Sequence, residues 1–302
     1  MRVYVFGSEG QVARSLREAA SKWPDVIMGN GVRPDVDILR PDLIERALAD
    51  FAPDIVINPA AYTAVDRAET EPDIALATNR DGAGNVAKAA AKLNIPIIHL
   101  STDYVFDGRK QSPYVETDGV GPRSVYGRSK LAGERAVSSS NSRAIILRTA
   151  WVYAPFGSNF VRTILRLSGE RDKLRIVDDQ IGCPTYAPDI ADAILAIATK
   201  IKSSGWQDLF AGVMHLAGPD EITWCNFARQ IISIAKTKGR RDVTVDAITT
   251  VEYPTPAERP ANSRLRCDRL AEMFDVRLPP LRSSLEKCIE LLLNDHLQET
   301  RS

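Results

Sequence analysis

The chain has 302 residues, of which 44% are hydrophobic and 26% are charged, which suits one α/β domain with a smaller companion lobe. Its 39 Lys and Arg balance its 39 Asp and Glu, so no overall basic field exists to attract nucleic acid or an anionic membrane. No apolar run is long enough to span a bilayer, and the first residues show a strand pattern without a signal peptide. We therefore expect a cytoplasmic protein that binds neither nucleic acid nor membrane.

The metal-binding and disulfide-forming residue types are few and scattered. The four cysteines are Cys183, Cys225, Cys267 and Cys288, and the three histidines are His99, His215 and His296. No two cysteines form a CxxC pair, and the histidines have no spacing typical of metal ligands. The sequence therefore predicts reduced structural thiols and no metal site.

Short apolar segments alternate with helical patterns over the first half of the chain. Strands are predicted over residues 2–6, 26–28, 54–58, 95–100 and 144–147. Helices are predicted over residues 11–22, 41–51 and 72–93, and again after Tyr126. Buried strands separated by helices form parallel sheets with both faces covered. We therefore predict an α/β fold with a doubly wound, Rossmann-like parallel sheet.

The pattern loosens after Trp151. Helices are predicted over residues 159–167 and 189–201, and a strand over 213–216 is expected to return to the main sheet. The remaining segment is interrupted by Pro254, Pro256, Pro260, Pro279 and Pro280, which predicts loops and short helices. We divide the chain into an NAD(P)-binding domain over 1–150 and a smaller C-terminal substrate-binding lobe over 151–302, interleaved with the first.

A glycine turn follows the first predicted strand. Gly7, Gly10 and Ala13 fit the pattern GxxGxxG with alanine at the last position, and Gln11 and Val12 begin the following helix. Glycine permits unusual backbone angles and close approach to a pyrophosphate, while the helix N-terminus offers N–H groups to that anion. The turn therefore predicts a dinucleotide site at the first strand–helix junction.

The stretch beyond the second strand bears on cofactor choice. An acidic residue there would hold the adenosine 2′-hydroxyl of NAD, but Asn30 and Arg33 occupy this region. The arginine favours the 2′-phosphate of NADPH, and NADH remains an alternative. Asp37 and Ile38 either line the adenine or belong to the start of the next helix.

Tyr126 and Lys130 form the sharpest signal in the sequence. Four residues apart on a helix, they share one face. A phenol with a pKa of about 10 is a poor acid–base catalyst at neutral pH, and lowering that value to about 7 takes roughly 4 kcal/mol. A neighbouring ammonium and an oxidised nicotinamide would both stabilise the phenolate. The pair therefore predicts proton transfer beside a nicotinamide.

Thr102 lies in the segment 101–108 (STDYVFDG), at the end of the fourth predicted strand. Ligands of open α/β sheets bind beyond such strand ends. Its hydroxyl is placed to bond both the Tyr126 phenol and a substrate carbonyl oxygen, so we predict that Thr102 completes a catalytic triad.

Several segments together resemble the extended short-chain dehydrogenase/reductase superfamily and, within it, the dTDP-4-dehydrorhamnose reductase family. These segments are 58–66 (NPAAYTAVD), 101–108 (STDYVFDG), 126–130 (YGRSK), 148–153 (RTAWVY), 179–185 (DQIGCPT) and 259–264 (RPANSR). They extend over nearly the whole chain, and the second, fourth and last are far more specific than the glycine turn.

The resemblance implies that the 4-keto group of dTDP-4-dehydro-β-L-rhamnose is reduced to give dTDP-β-L-rhamnose. It implies catalytic roles for Thr102, Tyr126 and Lys130. Positions near the nicotinamide are Ala60, Ala61, Tyr62 and Asn79. Positions on the sugar and nucleotide side are Thr63, Val65, Tyr104, Trp151, Asn159, Phe160, Arg259 and Asn262. The diphosphate of such a substrate requires a charged donor, for which Arg259 is a candidate.

Two positions depart from the family pattern. Some members bind magnesium at a dimer interface through glutamates, but Ser15 and Pro188 occupy the matching positions. We therefore predict no such metal site, and the sequence leaves monomer and homodimer as alternatives.

Three other functions use similar residues. A sugar-nucleotide 4,6-dehydratase would carry a glutamate where Tyr104 stands, and an NAD-retaining epimerase would need the same tyrosine and lysine. A regulatory subunit resembling the β subunit of methionine adenosyltransferase is the non-enzymatic alternative. Net oxidation of NADPH would separate the reductase from the two redox-neutral enzymes. Co-purification with a synthetase, without turnover of the ketosugar, would favour the regulatory subunit.

Overall fold

The computed structural model describes residues 1–299, with side chains up to residue 294. Its strands are β1 (Arg2–Phe6), β2 (Ile27–Gly31), β3 (Ile55–Asn58), β4 (Ile97–Thr102), β5 (Ala144–Thr149), β6 (Val152–Tyr153), β7 (Lys173–Val177), β8 (Ile181–Gly182), β9 (Thr185–Tyr186), β10 (Gly212–His215), β11 (Ile222–Thr223), β12 (Thr244–Ile248) and β13 (Asn262–Ser263). Its α-helices are α1 (Gln11–Ala20), α2 (Pro41–Phe51), α3 (Val65–Ala68), α4 (Pro72–Leu76), α5 (Ala83–Lys92), α6 (Val125–Ser140), α7 (Phe160–Glu170), α8 (Ala187–Ser204), α9 (Trp224–Thr237), α10 (Asp268–Phe274) and α11 (Leu281–Glu299).

The main sheet has six strands in the order β10-β5-β4-β3-β1-β2, and every pairing in it is parallel. The chain runs outward from β1 to β2 and then crosses to β3 on the other side of β1. The strand order therefore reverses between β1 and β3, where open α/β sheets bind their ligands. This confirms the predicted fold class, and β10 confirms the late strand that returns to the sheet.

Alternation along β1 places the two hydrophobic cores on opposite faces of the sheet. Val3 and Val5 contribute to the core under α1 and α8, whereas Tyr4 and Phe6 contribute to the core under α2 and α5. All four side chains are buried. This double coverage explains why the strand is apolar at consecutive positions.

The second strand extends further than predicted, because it continues through two glycines. A side chain at Gly29 would come within 2.7 Å of the Phe51 ring, and one at Gly31 within 3.1 Å of Tyr4. Glycine is ordinarily depleted in strands, but here it allows close packing of β2 against its neighbours.

The helix predicted over 72–93 contains a change of winding. A π-helical segment, Ala77–Gly82, joins α4 to α5. Such segments are rare and frequently occur at functional sites. This one carries Asn79 into contact with α6, as described below.

The prediction of loops and short helices for the C-terminal lobe was wrong for two segments. Helix α9 has 14 residues and α11 has 19, and with α7 they surround a hydrophobic core of the lobe, separate from the two cores on the main sheet. Phe227 and Ile231 of α9 lie in that core at helical spacing before the first of the prolines that suggested loops, and Ile289 of α11 lies there after the last. Helices α8 and α10 pack instead on the sheet core that contains Val3 and Val5, so this core and the lobe core draw on alternating parts of the chain.

Candidate active site

The turn after β1 has a conformation suited to an anion. Gly7 has a φ of +101°, and a side chain there would point toward the Cβ atoms of Ala13 and Ala60. Gly10 precedes α1 without a side-chain cap, so the first N–H groups of the helix have no partner within it. Val12 anchors this end of α1 in the core. Since Ala60 follows β3, the turn faces the point where the strand order reverses.

Beyond β2, the residues predicted to contact adenosine separate into two groups. Asn30 lies in β2 itself, and Arg33 is exposed just past the end of that strand. Asp37 instead accepts a hydrogen bond from the backbone N–H of Leu39 at 2.9 Å. Ile38 packs on Gly82, where a Cβ atom would come within 2.6 Å of it. Asn30 and Arg33 thus remain candidates for the cofactor, while Asp37 and Ile38 shape the loop before α2.

The loop after β3, which holds Ala60, Ala61 and Tyr62, is fixed by Asn79. The Tyr62 backbone N–H donates to Asn79 Oδ1 at 2.8 Å, and Asn79 Nδ2 donates to the Tyr62 carbonyl at 3.0 Å. The same amide donates to Ser129 Oγ on α6 at 2.8 Å. Asn79 therefore ties the predicted nicotinamide loop to the helix that carries Tyr126.

Helix α6 begins at the carboxyl end of the sheet. Ser124 caps it by accepting from the Gly127 N–H at 3.1 Å, which places Tyr126 in the first turn. Lys130 lies one turn later and donates to the Leu100 carbonyl of β4 at 2.6 Å. Thr102, the last residue of β4, is also buried. The structure thus gathers the predicted catalytic residues between the end of β4 and the start of α6.

Burial sets the protonation of this cluster. It raises the pKa of the Tyr126 phenol well above its usual range, and the neighbouring Thr102 hydroxyl only partly opposes that shift. Burial also lowers the pKa of Lys130 to about 8, although the Glu134 carboxylate acts in the opposite direction. His99 is buried, and its pKa is held well below the usual value by burial and by Lys130, so its imidazole is neutral. Tyr126 is accordingly a neutral phenol that carries its proton at physiological pH, but its pKa is shifted in the direction opposite to the lowering that the Lys130 ammonium was expected to produce.

Asp103 adds a buried carboxyl group to the cluster. The Thr102 hydroxyl donates to Asp103 Oδ1 at 2.9 Å. Burial raises the pKa of Asp103 to about 6, opposed by hydrogen bonds from Ser263 and Thr102. Asp103 was not among the predicted site residues, although it is adjacent to Thr102 in the segment 101–108.

Tyr104 and Arg259 meet above the catalytic cluster. The Tyr104 ring packs edge to face on Tyr126 with centroids 5.5 Å apart, and Arg259 Nη1 donates to the Tyr104 hydroxyl at 3.1 Å. Arg259 also forms an ion pair with Asp66 at 2.6 Å. Thr63 is exposed in the loop before α3, and Val65 is half-buried at the start of that helix. Asp66, the last residue of the segment 58–66, was not predicted as a partner of Arg259.

Trp151 belongs to an aromatic cluster on the lobe side. Its indole stacks on Trp224 with centroids 3.4 Å apart and planes 6° apart, and Phe160 lies 4.5 Å from Trp224. Trp151 has a φ of +48°, a strained value for a bulky residue. Its ring lies against Gly182, where a Cβ atom would collide with it. No motif marked Trp224, because only the fold brings it to Trp151.

Asn159 and Asn262 use their side chains within the protein. Asn159 caps α7 by accepting from the Arg162 N–H at 3.2 Å, and its amide donates to Gln11 Oε1 at 2.9 Å. Asn262 donates to the carbonyls of Lys110 and Ser112 at 2.7 and 2.9 Å. Asn159 therefore lies beside the glycine turn and directly before Phe160, and its place on the nucleotide-sugar side stays a prediction. Both amides stabilise loops, a role that the resemblance did not indicate.

The two positions matching the family's magnesium ligands have other roles. Ser15 is buried and donates to the Gln11 carbonyl at 2.8 Å, and Pro188 is in the first turn of α8. Among the described residues, no group of three or more His, Cys, Asp and Glu side chains is arranged to hold a metal ion. In the same part of the chain, no helix has the length and apolar character needed to cross a membrane.

The parallel sheet, the glycine turn at its point of reversal and the Tyr126–Lys130 helix define an extended short-chain dehydrogenase/reductase. A family model described as the RmlD substrate binding domain matches residues 1–294. The dTDP-4-dehydrorhamnose reductase of Sinorhizobium fredii is 49% identical over 293 residues, which cover 97% of this chain and 98% of the relative. The chain belongs to the dTDP-4-dehydrorhamnose reductase family.

Solved structures give the same result. A dTDP-4-dehydrorhamnose reductase from Clostridium acetobutylicum aligns with a TM-score of 0.88 at 35% identity. The alignment covers 97% of this chain and 100% of that chain. The Bacillus anthracis enzyme in complex with NADP aligns with a TM-score of 0.85 at 32% identity, covering 97% and 99%. The resemblance expected from the sequence motifs is thereby confirmed.

Proposed function

We propose that this protein reduces the 4-keto group of dTDP-4-dehydro-β-L-rhamnose to dTDP-β-L-rhamnose, with NADPH as the reductant. The convergence of Thr102, Tyr126 and Lys130 at the carboxyl end of β4 carries the proposal. The names of the reductases to which the chain is similar supply the substrate. We place the reaction in the cytoplasm, where thiols such as the four free cysteines remain reduced.

The cleft between β1 and β3 fits a dinucleotide. Gly7 leaves room where a side chain would point toward Ala60, and the uncapped start of α1 presents N–H groups to a pyrophosphate. Arg33 supplies a cation for the 2′-phosphate of NADPH beyond β2. Bound NADPH would provide the hydride for the carbonyl carbon.

The chain's own residues handle the proton. Tyr126 is a buried, neutral phenol, and it donates its proton to the carbonyl oxygen as negative charge develops there. The Thr102 hydroxyl, on turning its proton away from Asp103 Oδ1, offers a second hydrogen bond to the same oxygen. The Lys130 ammonium then stabilises the phenolate until a proton returns from solvent. Because the surroundings are buried, each of these interactions is stronger than it would be in water.

The C-terminal lobe is proposed to bind the nucleotide-sugar. Arg259 contacts Tyr104, whose ring packs on Tyr126, and we assign this cation to the diphosphate. Its ion pair with Asp66 would be exchanged for the substrate. Trp151, Trp224 and Phe160 form an apolar wall beside this path.

An assay with the 4-ketosugar generated in situ by the preceding enzymes tests the proposal. We expect stoichiometric oxidation of NADPH, with formation of dTDP-rhamnose. A dehydratase or an epimerase would convert a sugar nucleotide without net NADPH consumption, and a regulatory subunit would show no turnover. Since Ser15 and Pro188 cannot supply carboxylate ligands, we expect activity to survive EDTA. A loss that magnesium restores would contradict that part of the proposal.

A further inference from the structure

A buried ion pair lies one helical turn beyond Lys130. Glu134 accepts two hydrogen bonds from Arg148, at 2.8 Å from Nε and 2.7 Å from Nη2. Both side chains are buried, with exposed fractions of 5% for Glu134 and 4% for Arg148. Ser101 also donates to the Glu134 carboxylate. A bidentate pair so deeply buried is expensive to desolvate, which makes a role beyond stability worth testing.

This pair is built into the same strands as the catalytic residues. In β4, Leu100 accepts from Lys130, Ser101 donates to Glu134, and Thr102 completes the strand. Ser101 pairs in register with Arg148 of β5. The ion pair therefore joins α6 to two strands directly behind Lys130.

Several charged and titratable groups surround Lys130. The charged and titratable groups facing it or its neighbours are Tyr126 and Glu134 on α6, His99 on β4, Arg148 on β5, and Asp103 and Tyr104 in the turn after β4. The α4–α5 segment contributes the uncharged Asn79 through Ser129. His99 is neutral, so the charged groups of the buried cluster at neutral pH are two cations, Lys130 and Arg148, and two carboxylates, Glu134 and Asp103. Of the two carboxylates, Glu134 is the one that lies on α6 with Lys130 and is bound by Arg148.

We infer that Glu134 and Arg148 are positioning residues that set the charge of Lys130, with Glu134 keeping it protonated and Arg148 limiting that effect. This inference rests on the proposed function for its consequence in turnover, but its electrostatic content concerns Lys130 alone. An i,i+4 spacing puts Glu134 on the face of α6 that Lys130 occupies. A carboxylate at such a position favours the ammonium, and a cation clamped to that carboxylate weakens its influence.

Two substitutions break the same ion pair with opposite electrostatic results. Glu134→Gln leaves two buried cations, so Lys130 should lose its proton at a pH lower by roughly one unit or more. Arg148→Met leaves the carboxylate to Lys130 alone, so Lys130 should lose its proton at a higher pH. A purely structural role would move both variants in the same direction or neither. Ser101→Ala breaks a hydrogen bond to Glu134 without changing charge, and it should leave the titration of Lys130 unchanged.

The titration is followed by NMR of the Lys130 ¹³Cε signal in lysine-labelled full-length protein without ligand, assigned by its loss in Lys130→Arg. The alkaline limb of the kcat–pH profile should shift in the same direction as the NMR titration. Where a single variant fails to fold, the double variant Glu134→Gln/Arg148→Met removes both charges. It should titrate between the two predicted extremes.

The outcomes distinguish this inference from the proposed function. Equal or same-direction shifts in the two single variants, or a double variant that titrates beyond either predicted extreme, would overturn the charge-setting role even in an active enzyme. Opposite shifts in a protein that does not oxidise NADPH with the ketosugar would support the charge-setting role and reject the proposed reaction.

Discussion

The catalytic cluster and the C-terminal lobe use their polar residues differently. At the end of β4, Tyr126 and Lys130 are buried ionisable groups whose pKa values are moved by their surroundings. In the lobe, Asn262 and Arg259 already have partners within the protein. Groups with shifted pKa values in a cleft indicate a catalytic role. Amides and ion pairs that already have partners indicate that the residue stabilises the fold, or that a ligand must displace its partner. The contrast shows that a family motif predicts where a residue lies in the fold more securely than it predicts which group that residue contacts.

The largest expected effect comes from the catalytic side. Tyr126→Phe removes the proton donor and keeps the ring, so turnover should fall roughly 10²- to 10⁴-fold. NADPH affinity and the melting temperature should change little. Tyr114→Phe is the matched control, since Tyr114 is another buried tyrosine, whose hydroxyl donates to Asp107 at 2.7 Å. Near-normal turnover by Tyr126→Phe would show that Tyr126 is not the proton donor, and the catalytic cluster would then not differ from the lobe in this respect.

Substitutions at Arg259 and Asp66 test whether Arg259 exchanges its ion pair for the substrate diphosphate. Arg259→Gln should raise KM roughly 10- to 100-fold, the value of one or two charged hydrogen bonds, with a smaller change in kcat. Asp66→Asn releases the arginine and should leave KM unchanged or lower it. If both variants raise KM equally, Arg259 serves as a structural latch and the diphosphate assignment fails.

Asn262 tests the opposite case. Asn262→Ala should lower the free energy of unfolding by about 1–3 kcal/mol, because the carbonyls of Lys110 and Ser112 lose their donor. KM should remain close to wild type, and the exposed Asn226→Ala should do little to either quantity. Denaturant unfolding and steady-state kinetics measure both effects. A higher KM at unchanged stability would make Asn262 a substrate contact, as the resemblance implied.

The smallest effect concerns pH and stability. Burial lowers the pKa of His215 to about 3 and that of His99 well below normal, so each is bound as a neutral group in the folded state. Their stabilisation is complete above the unfolded pKa of about 6.5 and is lost as pH falls, at about 1.4 kcal/mol per pH unit for His215 down to its folded pKa. Asp103, whose pKa is raised to about 6, acts in the opposite sense between pH 6 and 4.

Between pH 6 and 4, the slope of the unfolding free energy against pH therefore contains a loss from the two histidines and an opposing gain from Asp103. Urea unfolding at pH 6, 5 and 4 measures this slope. His215→Gln should reduce it, because the group that must stay unprotonated is gone. A slope that is unchanged in His215→Gln would show that this histidine is not responsible.

The sequence by itself determined the succession of strands and helices along the first half of the chain. It also determined the local geometry of the catalytic helix. Apolar runs of strand length identified the sheet, and the four-residue spacing placed Tyr126 and Lys130 on one helix face, because both depend on short-range periodicity. The glycine turn was readable for the same reason, since Gly7 needs a backbone angle that few residues tolerate.

Only the tertiary structure decided which distant side chains meet. Trp224 reaches Trp151, Asp66 reaches Arg259, and Arg148 reaches Glu134 across long stretches of sequence. Helices α9 and α11 were missed because they are stabilised by packing on one another's apolar faces more than by local propensity. Burial, which sets the protonation of Lys130 and Tyr126, is likewise a property of the assembled fold and has no signature in residue spacing.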